Sequence, residues 1–174
     1  KILIDSEADI ISISDNAAGI GLDNYYRAFE PAHIPLDNTG LHEYGMGMKT
    51  ASIWLSDKWS VRTSALGESE ERTIEFDLEK VISEKKENLE VIKTIKEKND
   101  HYTEIVLKKL SHNAPSSHQL DKIRRHLTSI YRNFIRSGDL KLYVNDLLLK
   151  INSENKKIKF KSRRSHDFFK RRSS

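Results

Sequence analysis

The first fifteen residues, "KILIDSEADIISISD", alternate apolar and polar side chains and then stop on a carboxylate followed by "NAAGIG". Ile2 and Ile4, then Ile11 and Ile13, recur with the period of a strand that buries one face, so the chain opens as two short strands joined through "DSEAD". Strands of this kind need a second layer to cover their apolar side. At 174 residues, with 37% hydrophobic and 32% charged residues, the chain can build one such core and a small appendage, but two complete domains would be crowded.

Composition removes several classes. No run is long and apolar enough to cross a bilayer, and no basic-then-apolar leader opens the chain. Zero cysteines exclude disulfide staples and thiolate metal sites. The expectation is a cytoplasmic protein without membrane association, and the direct entry from Lys1 into a strand points to a natural beginning further upstream. The net charge of +4 and pI near 9.1 come from an excess at the end, in "KKIKFKSRRSHDFFKRRSS". Such a tail could meet nucleic-acid phosphates, although a solvated terminus is the commoner use of a basic run.

Along the chain, "LDNYYRAFEPAHIPLDNTGLHEYG" reads as a short helix entering a loop, with Tyr25, Tyr26 and Phe29 as helix-packing residues. "MGMKTASIWLS" has no breaker and reads as a helix, and Trp59, Val61 and Thr63 then alternate as a strand, returned by "GESEERTIEFDL". Residues 79–100 read as either helix or strand. "YTEIVLKKL" is a strand with Thr103, Ile105 and Leu107 on one face. One helix is expected from a cap at Ser116 or Ser117 to a stop at Gly138, followed by a strand region with Asn145-Asp146 as a hairpin turn.

The glycines carry the chemistry. Gly45 and Gly47 precede a helix start, where unpaired amides and the helix dipole favour an anion, although a GxG pair alone is a weak signal. Asp15, at a strand end, can accept a hydrogen bond from an exocyclic amine, and Gly19 and Gly21 leave space for a flat base. His33 and His42 lack a spaced partner that would make a zinc site.

Taken together, "SDNAAGIG", "GLHEYGMGMKTAS" and "YTEIVLKKL" resemble, in that order, the two glycine boxes and the threonine strand of the GHKL ATPase superfamily of DNA gyrase B, heat-shock chaperones, histidine kinases and MutL. "HLTSIYRNFIRSGDLKLYVND" is similar to the helix and strand that come after the ATPase core in Microrchidia-type and related bacterial members. The resemblance implies the Bergerat fold: a two-layer α/β sandwich with a mixed, largely antiparallel sheet, lacking its N-terminal helix in this chain. It implies an ATP-binding core over residues 1–110 and a helix-strand extension over 111–174 leading to a transducer-like region.

The resemblance further implies that Asp15 contacts the adenine amino group, with Thr103 supporting it, while Gly19 and Gly21 shape the pocket. Gly45, Met46, Gly47 and Met48, with Lys49, would hold the phosphates of ATP alongside Mg²⁺, and residues 22–44 would form the lid. Homodimerisation is the implied consequence of hydrolysis. Three departures stand out. Ala17 replaces the first glycine of the family's DxGxG pattern, Tyr102 replaces a glycine commonly found before the threonine, and no helix bearing a general-base glutamate and a Mg²⁺-holding asparagine precedes Lys1. No residue here is therefore assigned as base or metal ligand. A nucleic-acid-binding or scaffolding module with a vestigial pocket, and a histidine-kinase catalytic domain, are the competing readings.

Overall fold

The computed structural model describes residues 1–29, 47–85 and 89–151. Its chain order is β1 (Ile2–Asp5), β2 (Ile10–Asp15), α1 (Leu22–Phe29), α2 (Gly47–Leu55), β3 (Ser56–Ser64), β4 (Glu70–Asp77), α3 (Leu78–Glu84), β5 (Val91–Ile95), β6 (Tyr102–Leu110), α4 (Leu120–Ile130), α5 (Arg132–Ser137), β7 (Tyr143–Val144) and β8 (Leu147–Leu148). One 8-stranded sheet runs β5-β4-β3-β6-β2-β1-β7-β8. Every neighbouring pair is antiparallel except β1 and β7, so the sheet is mixed and largely antiparallel, the two-layer α/β sandwich anticipated from the sequence.

Register explains the layers. Ile11 lies opposite Leu107, which lies opposite Trp59, which lies opposite Phe76. Ile13, Ile105, Val61 and Ile74 form the adjoining row in the same way. Because side chains alternate across a pleated strand, both rows project to one face of the sheet. Ile4, Ile11, Trp59, Val61 and Leu107 are the buried core, and Phe29 of α1, Met48 and Leu55 of α2, and Leu120 and Ile123 of α4 pack on it. Trp59 stacks on Phe76 with ring centroids 5.4 Å apart. A second cluster of Leu142, Val144 and Leu149 takes Leu127, Tyr131 and Ile135, and Ile2 and Leu120 touch both clusters.

The ambiguous stretch resolves into both alternatives. Asp77 caps α3 by accepting a hydrogen bond from the Lys80 amide at 3.5 Å, and β5 follows as the outer partner of β4. The single helix expected between Ser116 and Gly138 is instead a 3-10 turn at Ser117–Gln119, then α4, then α5, with Tyr131 at φ −90° and ψ 15° between the helices. No proline or glycine lies in that stretch. Leu127, Tyr131 and Ile135 are spaced by fours, a pattern that drifts around a straight helix of about 3.6 residues per turn, and the bend keeps all of them on the second cluster. Gly138, at φ 86°, ends α5 as expected. Among the described residues, no helix is long and apolar enough to cross a membrane.

Asn145 and Asp146 form the hairpin turn with positive φ values of 47° and 63°, the combination that suits the twist of a two-residue hairpin. Asn145 also holds the hairpin to the sheet: its side-chain oxygen accepts from the Ile4 amide and its amide nitrogen donates to the Ile4 carbonyl, both at 2.8 Å, while its own N–H donates to Ile2 at 2.9 Å. One side chain thus substitutes for a missing ladder residue. Asn145→Ala leaves the Ile4 amide and carbonyl without these partners, and a loss of about 2 kcal/mol is expected. Urea unfolding of the two proteins, followed by circular dichroism, measures it.

Candidate functional site

Beyond the apolar rows, the same sheet face ends in a polar one. Asp15 on β2 lies opposite Thr103 on β6, Thr103 opposite Thr63 on β3, and Thr63 opposite Arg72 on β4. Neighbouring Ile13 is 38% exposed on a face that is otherwise core, so an apolar surface lies uncovered beside the Asp15 carboxylate. A carboxylate and hydroxyls bordering exposed apolar surface can orient a flat ligand with polar substituents.

The segment after β2 is fastened to this row. Ala17 N–H donates to the Asp15 carboxylate at 2.9 Å, an Asx turn, and His101 Nδ1 donates to the Ala17 carbonyl at 2.9 Å. Leu66 N–H donates to the Ala18 carbonyl at 2.9 Å, Ile20 N–H to the Thr63 hydroxyl at 2.9 Å, and Leu22 N–H to Glu68 at 2.8 Å. Gly19 lies at φ +73°, and a Cβ there would sit 2.7 Å from the Ser64 carbonyl carbon and 2.9 Å from the Ala65 Cα. Its missing side chain therefore admits the end of β3, not a ligand. A Cβ at Gly21 would come within 3.2 Å of Glu68 Oε1.

Arg72 closes the row as a buried cation. It is 3% exposed, lies 5.8 Å over the ring of buried Tyr25, and donates to Glu68 and to Glu70, the latter at 3.2 Å. Tyr25 in turn packs on Phe29 with ring centroids 4.9 Å apart, consistent with a packing role for both; the Tyr26 side chain lies outside the described residues. The Leu22 amide, and after it Arg72, hold the Glu68 carboxyl below its ordinary value of 4.5.

Tyr102, the departure beside the threonine, belongs to the other face. Its hydroxyl donates to Glu71, and Arg62, opposite Glu104 in the ladder, donates to that carboxylate at 2.7 Å while lying 5.6 Å over the Tyr102 ring. Burial, with the hydrogen bond to Glu71, pushes the phenol up to about 12. Strand alternation keeps this bulky residue away from Asp15 and Thr103.

The structure thus brings Asp15 and Thr103 together and places Gly19 and Gly21 in the loop beside them. Gly47 begins α2 on the same sheet face, Met48 packs on the core, and Lys49 is half-buried in the first turn. A Cβ at Gly47 would meet nothing within 4 Å among the described residues. Gly45, Met46 and nearly all of the anticipated lid lie outside the described residues. A 380 Å³ cleft takes most of its strand lining from Lys58, Ser60, Glu75, Asp77, Val106 and Lys108, positions that alternate with the core rows, so it opens mainly on the opposite face, with Trp59 and Phe76 also contributing. Among the described residues, no group of three or more His, Asp or Glu side chains could hold a metal ion.

Sequence reading did not assign Thr63, Glu68, Arg72 or His101. For two of them a signal was available: Thr63 continues the Trp59, Val61 alternation and Arg72 precedes Ile74 and Phe76 in theirs, so each is a polar residue at a core-facing position.

Gly19→Ala combines a disfavoured φ with a backbone clash and is expected to destabilise the fold by about 3 kcal/mol or more. Chemical denaturation checks this. Glu68→Gln tests the loop anchor through pH. A carboxyl whose folded pKa is depressed stabilises above its unfolded pKa and loses that contribution as pH falls through the folded value. The melting temperature of the wild type should exceed that of Glu68→Gln by about 2–4 °C at pH 7, a gap that narrows as pH falls below 4.5.

A family profile described as "Histidine kinase-, DNA gyrase B-, and HSP90-like ATPase" matches residues 1–113. No curated protein is significantly similar to the chain in sequence. Among solved structures, the ATPase region of Saccharomyces cerevisiae topoisomerase II superimposes with a TM-score of 0.53 at 17% identity, covering 86% of this chain and 42% of that one. The ATPase and transducer domains of topoisomerase II from Balamuthia mandrillaris give a TM-score of 0.58 at 16% identity, covering 86% and 41%. The chain therefore spans about two-fifths of the length of these structures, and at such identities the likeness is one of fold. The profile covers well over half of the sequence, and the chain belongs to the histidine kinase-, DNA gyrase B- and HSP90-like ATPase family.

Proposed function

We propose that the chain binds ATP with Mg²⁺ at the polar end of the helix-covered sheet face. The observation that carries this reading is the register of β2 on β6, which sets Asp15 directly opposite Thr103 beside exposed Ile13. Asp15 and Thr103 take the adenine amino group, with the ring lying toward Ile13. Loop 16–21, held by Gly19 and Gly21, gives the pocket its wall.

The amides of Gly45 to Met48, of which Gly47 and Met48 open α2, hold the phosphates. Lys49 supplies a nearby positive charge, as its match to the Microrchidia-type pattern implies. Mg²⁺, arriving with the nucleotide, would neutralise charge between phosphate oxygens; no residue of this chain is assigned to it. The family is one of ATPases, and hydrolysis in the whole protein would drive lid closure and dimerisation. Residues 1–110 form the nucleotide core in this reading, and 111–174 pass the change onward.

Support for the extension's role comes from its attachment. Asn145 and Val144 join it to β1, and Leu120 packs on the same cluster as Met48 of α2. Histidine-kinase and nucleic-acid readings gain no comparable observation; the basic tail lies outside the described residues. Asp15→Asn tests the proposal. Removing the charged acceptor should weaken adenine-nucleotide binding, read by titration calorimetry, by about 10- to 100-fold. Undiminished affinity in a folded Asp15→Asn protein would refute the assignment.

A further inference from the structure

Resting on that reading, the hydrogen bonds around Thr63 decide which way the Thr103 hydroxyl points. Thr63 is fully buried, and its hydroxyl meets several partners at once. It donates to the Tyr102 carbonyl at 3.0 Å, since a carbonyl can only accept. It accepts from the Ile20 N–H at 2.9 Å. The Thr103 hydroxyl lies 3.2 Å away. A threonine hydroxyl has a single hydrogen, so with that of Thr63 given to the Tyr102 carbonyl, all three contacts are made at once only when Thr103 supplies the proton of the Thr63–Thr103 contact.

We infer that Thr63 is a positioning residue that makes Thr103 an obligatory acceptor, and thereby makes the site select a purine carrying an amino group over one carrying a keto oxygen at the same position. With its proton directed into the sheet, Thr103 offers only lone pairs to a ligand. Asp15, directly opposite on β2, is likewise an acceptor. Two adjacent acceptors suit an NH₂ group, which donates twice, and repel a keto oxygen, which cannot donate. Were the Thr103 proton free to rotate, it could turn outward and accommodate the keto oxygen. The buried threonine on β3 thus acts on specificity without touching the nucleotide. The same hydroxyl ties loop 16–21 to the row through Ile20, so the wall of the site and the polarity of its acceptor share one atom.

The experiment compares the dissociation constants of ATP and ITP by calorimetry at fixed Mg²⁺, ITP carrying a keto oxygen where ATP has its amino group. The wild type should prefer ATP by about 100-fold or more, and Thr63→Val should cut that preference about tenfold by freeing the Thr103 proton. Thr63→Ser, which keeps the hydroxyl, should restore the preference. In a Thr103→Val background, adding Thr63→Val should leave the ratio unchanged, because the proton it controls is gone. A purely structural role for Thr63 would weaken both nucleotides together. A folded Thr63→Val protein with the wild-type ratio would overturn the inference while leaving adenine recognition intact. If Thr63→Val does not fold, Thr103→Val decides alone: an unaltered ratio refutes the inference, and a reduced one supports it. A wild type that binds no ATP removes the proposed function and the inference with it.

Discussion

Strand β6 lies between β2 and β3, and its backbone hydrogen bonds to both are what align Asp15, Thr103 and Thr63 in one row. Side chains alternate across a sheet, so a slip of one residue on either side of β6 would turn Thr103 to the opposite face and bring Tyr102 and Glu104 toward Asp15. The apolar rows prevent that slip. Ile105 and Leu107 are bound to the same register as Thr103, and misplacing them would expose core side chains at a cost of about 1.5–3 kcal/mol each. The hydrophobic core therefore sets the geometry of a polar site that it does not itself contain.

The same alternation explains why sequence departures near the threonine strand leave the site face unobstructed. Tyr102 replaces a small residue of the family pattern, yet it lies among Glu71, Arg62 and Glu104 on the other side of the sheet. Ala17 hydrogen-bonds through its main chain to Asp15 and His101, and its side chain takes no part in either contact. Gly19 is different. Backbone at positive φ meeting backbone of β3 leaves no room for a Cβ, so this glycine is a structural requirement whatever the loop binds.

Thr63 and Arg72, the buried polar side chains of the row, each have several partners, although the Arg72 Nε has none among the described residues. Thr63 on β3 serves two residues of β6 and a loop, while Arg72 pairs with Glu68 and Glu70 over the Tyr25 ring. Such groups cost stability when left unpaired in a poorly solvated environment, so each contact restricts the others to one arrangement. The consequence is a fixed polar row, with an exposed isoleucine beside it, at the end of a face otherwise covered by helices.

Local pattern was enough to place most of the elements. Alternation in "ILID", "IISISD", "WSVRTS" and "YTEIVLKKL" determined those strands, Asn145-Asp146 determined its hairpin, and the ordered motifs pointed to the ATPase family. These readings succeed because strand period and turn chemistry are properties of neighbouring residues. The pairing of β7 with β1 and the roles of Thr63, Glu68 and Arg72 depend on residues tens of positions apart, and the bend at Tyr131 depends on the cluster of Leu142, Val144 and Leu149 it packs against. Only tertiary packing decides such contacts, because a hydroxyl's donor or acceptor role and a glycine's missing Cβ acquire meaning from whichever strand folds back against them.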